Sequence, residues 1–162
     1  MTFSNLNLDK YSDQAINDLV TSNENPVLIS FLSPIVKNLV ITIPVWTYAF
    51  KDKFYIFTGK NSLKVKAIKK GLNYFSLIIV DKNSFPDVYS SDMPYLSISG
   101  VAKIVSCSQN TDIPSIHLKI LEKYNFDGAP DWISNLISKI QLNPEDTWLI
   151  EITPSKAFTF NE

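Results

Sequence analysis

The sequence predicts a mainly β fold, a small closed or partly closed antiparallel barrel of six main strands with flanking helices. Three observations carry this expectation. Six apolar stretches have strand length and β-branched or aromatic content. Their connections are hairpins and irregular loops, without the regular strand–helix alternation of a doubly wound sheet. Helical periodicity is confined to short amphipathic segments between or before the strands.

Ser12 can cap a short helix over residues 13–20, whose apolar face is Ala15, Ile16, Leu19 and Val20. Residues 1–25 are therefore read as a helical extension within one domain spanning 1–162. Val27–Leu32 is the first strand, ended by Ser33-Pro34. Residues 40–50 form a long second strand. One face carries Val40, Thr42, Pro44, Trp46, Tyr48 and Phe50, and the other Ile41, Ile43, Val45, Thr47 and Ala49. Both faces are largely apolar, which fits a strand covered on both sides. Pro44 cannot donate to a ladder, so an edge, a bulge or a local opening is expected there. A tight connection at residues 51–53 leads into a third strand over 54–58.

Residues 62–70 form a short helix capped by Asn61 or Ser62 and closed by Gly71, with Lys69 and Lys70 at its negative end. Tyr74–Val80 and Tyr95–Ser106 are strands, and Gly100 inside the second marks a bulge or a close backbone approach. The loop over 82–94 is long enough to imply a role or mobility. Two amphipathic helices follow. Residues 112–124 align Ile113, Ile116, Ile120, Leu121 and Tyr124; residues 131–140, opened by Pro130, align Trp132, Ile133, Leu136, Ile137 and Ile140. A last strand covers 147–153, and Phe158 and Phe160 point to a further paired or docked segment.

Composition narrows the function classes. A formal charge of −1 gives no global reason for a nucleic-acid or membrane partner. All 15 cationic side chains are lysines, so bidentate arginine clamps on phosphate or carboxylate are absent. Cys107 is the single cysteine, which excludes an intrachain disulfide and a cysteine-ligated metal site. No apolar run has signal-peptide or membrane-spanning length, and a cytoplasmic protein is expected. The lysines at 60, 64, 66, 69 and 70 go around the helix axis without interleaved aromatics, which reads as a solvated surface.

Thr58, Ser62 and Lys64 are the leading site candidates. They place hydroxyls, an ammonium and free backbone N–H groups where a strand meets a helix start, a junction suited to an anion such as phosphate. An ordinary cap beside a solvated lysine is the competing reading. His117, at helical spacing from Ile113 and Leu121, reads as a partly buried structural residue. No catalytic triad, paired carboxylate or metal-ligand pair is evident, and no catalytic or metal residue is assigned.

The order Pro44-Val-Trp, Tyr55-Ile-Phe-Thr, Ser62-x-Lys64, the apolar strand at 76–81 and Ile98-Ser-Gly-Val-Ala resembles the FMN-binding split barrels related to pyridoxamine 5'-phosphate oxidase. The ending from Trp148 through Pro154 and Lys156 to Phe158 is similar to that family's last strand, so the resemblance covers residues 26–160. It implies a six-stranded antiparallel split barrel that binds FMN between the subunits of a homodimer. It also implies a phosphate contact at Ser62 and Lys64, with Thr58 lining the same pocket. A strand, Ile43, Pro44, Val45, Trp46 and Thr47, would pass the flavin ring mostly through backbone groups, with Val45 and Trp46 bordering the ring; core packing is the competing reading for Trp46. The lack of arginine and of a counterpart to the oxidase's substrate-binding end argues against a true pyridoxamine phosphate oxidase. An FMN-dependent oxidoreductase is the implied function. The alternatives are a non-catalytic flavin-binding or sensing dimer, or a relative that binds deazaflavin or haem.

Overall fold

The computed structural model describes residues 27–33, 35, 39–80, 95–123 and 130–159, and side chains throughout these except at 80, 95 and 157–159. The expected N-terminal helix, the 82–94 loop and Tyr124 lie outside the described residues.

Seven strands form one antiparallel sheet: β1 (Val27–Leu32), β2 (Val40–Pro44), β3 (Trp46–Phe50), β4 (Lys53–Phe57), β5 (Tyr74–Val80), β6 (Tyr95–Ser106) and β7 (Trp148–Thr159). Three helices flank it: α1 (Leu63–Lys69), α2 (Ile113–Lys123) and α3 (Asp131–Leu142), with a 3-10 turn at Pro144–Asp146. The strand order is β2-β1-β5-β6-β7-β4-β3. β2 and β3 are separated in sequence by Val45 alone, yet lie at opposite ends of that order. The sheet therefore curls until its two edges meet at Val45, whose N–H donates to the Val27 carbonyl at 3.0 Å.

This seam corrects the expected count of six strands. The single strand read over 40–50 is two strands with different partners, β2 on β1 and β3 on β4. The break falls at Val45, directly after Pro44, which has no N–H to offer a ladder. The parity read from the sequence survives the break. Ile41, Ile43, Val45 and Ala49 face the barrel core, whereas Val40, Thr42 and Pro44 face outward and are exposed. Trp46, Tyr48 and Phe50 also face outward, under the helices.

The hairpin from β3 to β4 turns on Lys51 (φ 49°) and Asp52 (φ 60°), two left-handed residues in a row. That is the primed two-residue turn whose twist matches paired strands. α1 is closed as expected: Ser62 Oγ accepts from Val65 N–H at 3.4 Å, and Gly71 (φ 78°) donates to Ile68 while Leu72 donates to Ala67. Gly100 stands at a register shift opposite Pro154, and a Cβ there would overlap the Thr153 carbonyl oxygen. β7 runs on through this irregularity to Thr159, so the further segment expected near Phe158 is a continuation of the last strand.

Three apolar layers result. The barrel interior holds Ile29, Phe31, Phe54, Ile56, Phe75, Leu77, Ile98 and Ile152, and α1 closes one end with Val65 and Ala67. Phe31 stacks on Phe75 at 5.3 Å, and truncating either ring would cost about 3–5 kcal/mol. Outside the sheet, Tyr55, Val105 and Leu149 pack on Ile113, Ile116 and Ile120 of α2. The third layer joins α2 to α3 through Leu121, Ile133 and Ile140.

Among the described residues, one buried acid lies on the sheet's outer face. Glu151, 1% exposed, accepts from Lys53 at 2.8 Å and from Tyr55 Oη at 3.2 Å, and pairs with Lys103 at 3.2 Å. Burial alone would raise its pKa, but the two lysines outweigh burial and hold it below the usual carboxylate value. Burial, and then the same carboxylate, push the Tyr55 phenol up.

Candidate functional site

Where the barrel seam meets the end of β4 and the first turn of α1, a cleft of about 240 Å³ opens. Pro44, Val45, Trp46, Phe57, Thr58, Lys64 and Trp132 line it. Five of the seven residues proposed from the sequence are thus brought together: Pro44, Val45, Trp46, Thr58 and Lys64. The other two are placed differently. Thr47 is buried and donates its hydroxyl to the Tyr55 carbonyl at 3.0 Å, tying β3 to β4. Ser62 does not line the cleft; its hydroxyl caps α1.

Lys64 is the unusual member. It is 8% exposed, no carboxylate among the described residues pairs with it, and burial lowers its pKa. A partly desolvated ammonium without a described counter-charge is costly, and an anion in the cleft would offset that cost. Beside it the indoles of Trp46 and Trp132 stack at 5.4 Å with an interplanar angle of 9°. The Phe57 ring lies 6.0 Å from Trp46. Trp132 was expected on the buried face of its helix. It is 47% exposed because, in the first turn of α3, it overhangs the seam instead of reaching the α2–α3 layer.

Phe57 and Thr58 also border a second cavity of about 450 Å³, between β4, α2, α3 and the Pro144–Asp146 turn. His117 and Thr147 are among the residues that line it. His117 is 6% exposed, its ring 4.9 Å from Phe57, and neither ring nitrogen has a hydrogen-bond partner among the described residues. Burial lowers its pKa to about 4, so the imidazole is neutral near neutral pH. The sequence reading placed His117 correctly near an apolar face, but nothing in the spacing could reveal that its nitrogens would be left unpaired. Among the described residues no cluster of three His, Cys, Asp or Glu side chains could hold a metal, and no helix is long and apolar enough to cross a membrane.

No protein-family model matches the sequence, and no curated protein matches it. Solved structures do resemble it. The conserved hypothetical protein Rv2991 from Mycobacterium tuberculosis superposes with a TM-score of 0.65 at 14% identity, over 99% of this chain and 89% of that one. An F420 reductase gives 0.57 at 13% identity, covering 87% of this chain and 94% of its own. A Listeria innocua protein named provisionally as a pyridoxamine 5'-phosphate oxidase gives 0.59 at 12% identity, covering 93% and 98%. At these identities the likeness is one of fold, and the fold they share with this chain is the split barrel.

Proposed function

We propose that this chain is a flavin-binding oxidoreductase, with FMN as the cofactor, that works as a homodimer and is not a true pyridoxamine phosphate oxidase. The observation that carries the reading is the cleft itself, where the Lys64 ammonium, paired with no described carboxylate, lies on the same wall as a stacked aromatic pair. A flavin mononucleotide has the two matching halves, a phosphate dianion and a large planar ring. Lys64 and Thr58 would hold the phosphate, and Val45, Trp46 and Trp132 would border the ring. Ser62 serves the site by fixing the first turn of α1, and Thr47 by holding β3 on β4. When bound, FMN would supply the hydride or electron chemistry. The protein's own part is to neutralise the phosphate, orient the ring and keep water off its apolar face.

The volume supports the dimer. Pockets that enclose a drug-sized ligand run to roughly 300–1,000 Å³. A cleft of about 240 Å³ therefore holds only part of a flavin and needs a second wall. The names of two of the similar structures, an F420 reductase and a pyridoxamine 5'-phosphate oxidase, favour a flavin-type cofactor, and the first makes a deazaflavin the second reading.

The test is a visible spectrum of the purified protein, followed by titration with FMN and separately with a deazaflavin, read by quenching of cofactor fluorescence. Uptake of FMN at micromolar concentration is expected. Lys64→Ala should weaken it by about ten- to a hundredfold, the loss of one charge-assisted contact of about 1.5–3 kcal/mol. A protein that takes up neither cofactor, or a Lys64→Ala variant with the parent's affinity, would overturn the proposal. Sedimentation with and without FMN tests the dimer.

A further inference from the structure

We infer that a second copy of this chain docks on the outward side of the β2-β1-β5-β6 half of the sheet, and that the docked copy completes the wall of the seam cleft. The inference deepens the homodimer reading above and rests on it. β1, β2 and β5 contain no charged residue, and Lys103 is the only one in β6. The inward residues of these strands fill the barrel, and the described helices lie elsewhere. α1 closes the barrel end, while α2 and α3 pack outside β3, β4 and β7. A sheet face that meets water usually carries polar and charged residues. Here Val40, Leu32, Tyr74 and Val101 form a row across the four strands, since the β1–β5 register carried one step past Phe31↔Phe75 sets Leu32 beside Tyr74. They are between 41% (Leu32) and 58% (Val40) exposed. Ile35 and Leu39 on the β1–β2 connection add to them, so six of the eight exposed large apolar side chains among the described residues stand on or beside this face. By contrast, the exposed positions of α2 and α3 include Lys119, Glu122, Asp131 and Lys139. A concentrated apolar patch of this kind marks an interaction surface.

The occupant is argued from the centre of the face and from its border. Thr42, Ser30, Ser76 and Ser99 stand in register across the four strands. Ser30 bonds Thr42 and Ser76 bonds Ser99, each at 2.8 Å, so every hydroxyl keeps a partner when water leaves. A hydroxyl both donates and accepts, so the row can also meet a copy of itself. Charge decides against a different partner: an uncharged face offers an acidic or basic surface nothing to select, and it does not repel its own copy. Twofold pairing, the commonest assembly of soluble chains, brings the same patch of two copies together. The border then ties the face to the site. Pro44 ends β2 on this outward side and also lines the cleft. A copy seated on the face extends to the mouth of that cleft, whose volume of about 240 Å³ holds only part of a flavin.

Sedimentation of the purified protein, with and without FMN, should show a dimer that persists in about 1 M salt, since no ion pair holds it. Val40→Glu and Val101→Lys each put a charge at an exposed position and should raise the dimer Kd by about a hundredfold or more, because a symmetric interface carries every substitution twice. Leu142→Lys, at an apolar side chain 78% exposed on α3, should leave it unchanged. A milder probe serves if the charged variants fail to fold. Thr42→Cys in a Cys107→Ser background should react slowly with a bulky maleimide as a dimer and about tenfold faster or more once diluted to monomer. A dimer that both valine variants leave intact, or a thiol that reacts equally fast in dimer and monomer, would overturn this face while the homodimer reading stands on another surface. A thiol that stays slow in the monomer would mean that the chain covers its own face, and would overturn it too. A protein that is monomeric at every concentration would remove the homodimer reading and this inference together. FMN affinity should fall with the dimer in the valine variants; monomers that hold FMN as tightly as the parent would overturn the shared wall.

Discussion

The burial of His117 makes a quantitative statement about acid stability. Its pKa falls from 6.5 to about 4 on folding, with burial as the cause. In the unfolded chain the imidazole takes up a proton as the pH drops through 6.5; in the folded chain it does not until about pH 4. The stabilising contribution is therefore complete above pH 6.5 and is lost as the pH falls toward 4. A gap of about 2.5 corresponds to about 3 kcal/mol, of which about 2 kcal/mol is lost between pH 7 and pH 5. Glu151 acts in the same direction but in a lower window, because its pKa is depressed below a starting value of 4.5. Urea denaturation at pH 7, 6 and 5 isolates the histidine. The parent should lose stability across this range and His117→Phe should not. At pH 7 the variant should be the more stable by about 1–2 kcal/mol, since it removes two unpaired nitrogens while keeping a ring in place. Parallel pH profiles for the two proteins, or an NMR titration of the single histidine with a midpoint near 6.5, would refute the reasoning.

Two further predictions concern the frame around the sites. Gly100→Ala drives a methyl group into the Thr153 carbonyl, a backbone atom that can move only if β6 and β7 separate; a loss of about 2–4 kcal/mol is expected in urea denaturation, and a neutral result would mean that the bulge yields freely. Glu151→Gln removes the charge that Lys53 and Lys103 share while leaving an acceptor for Tyr55. Because the two ammonium groups reach solvent, the expected loss is about 1–3 kcal/mol. The Glu151 contribution is present above pH 4.5 and lost as the pH falls through its depressed folded value, so the variant should also have a flatter stability profile below pH 4.5. A variant as stable as the parent, with an unchanged acid limb, would contradict this.

What could be read from the sequence was governed by local chemistry. The two-residue alternation over 40–50 sorted inward from outward residues correctly, because the pleat continues across the Val45 seam. Pro44 marked the break for want of an N–H, and Ser62 and Gly71 marked the ends of α1 through capping geometry. The seventh strand could not be read, since it depends on which distant strands β2 and β3 choose as partners. The burial of Lys64 was hidden for a similar reason. Its place in the first turn of α1 was legible, but its burial was set by the seam and by Trp132 arriving from a helix far along the chain. His117 needed the packing of α2 against α3 and β4 before its unpaired nitrogens could be seen.

The treatment of buried polar groups separates frame from site. Glu151 is as deeply buried as any charge described here, and the fold surrounds it with two ammonium groups and a phenol. Lys64, His117 and Thr147 are nearly as buried, and the fold gives the Lys64 ammonium no carboxylate and the other two side chains no hydrogen-bond partner among the described residues. A sequence able to compensate a carboxylate so fully on one face of a sheet has no general difficulty in pairing buried groups. The residues that carry the uncompensated groups line two openings that share Phe57, whose ring lies near both Trp46 and His117. At Lys64, the stability given up is stability that the proposed anion would restore.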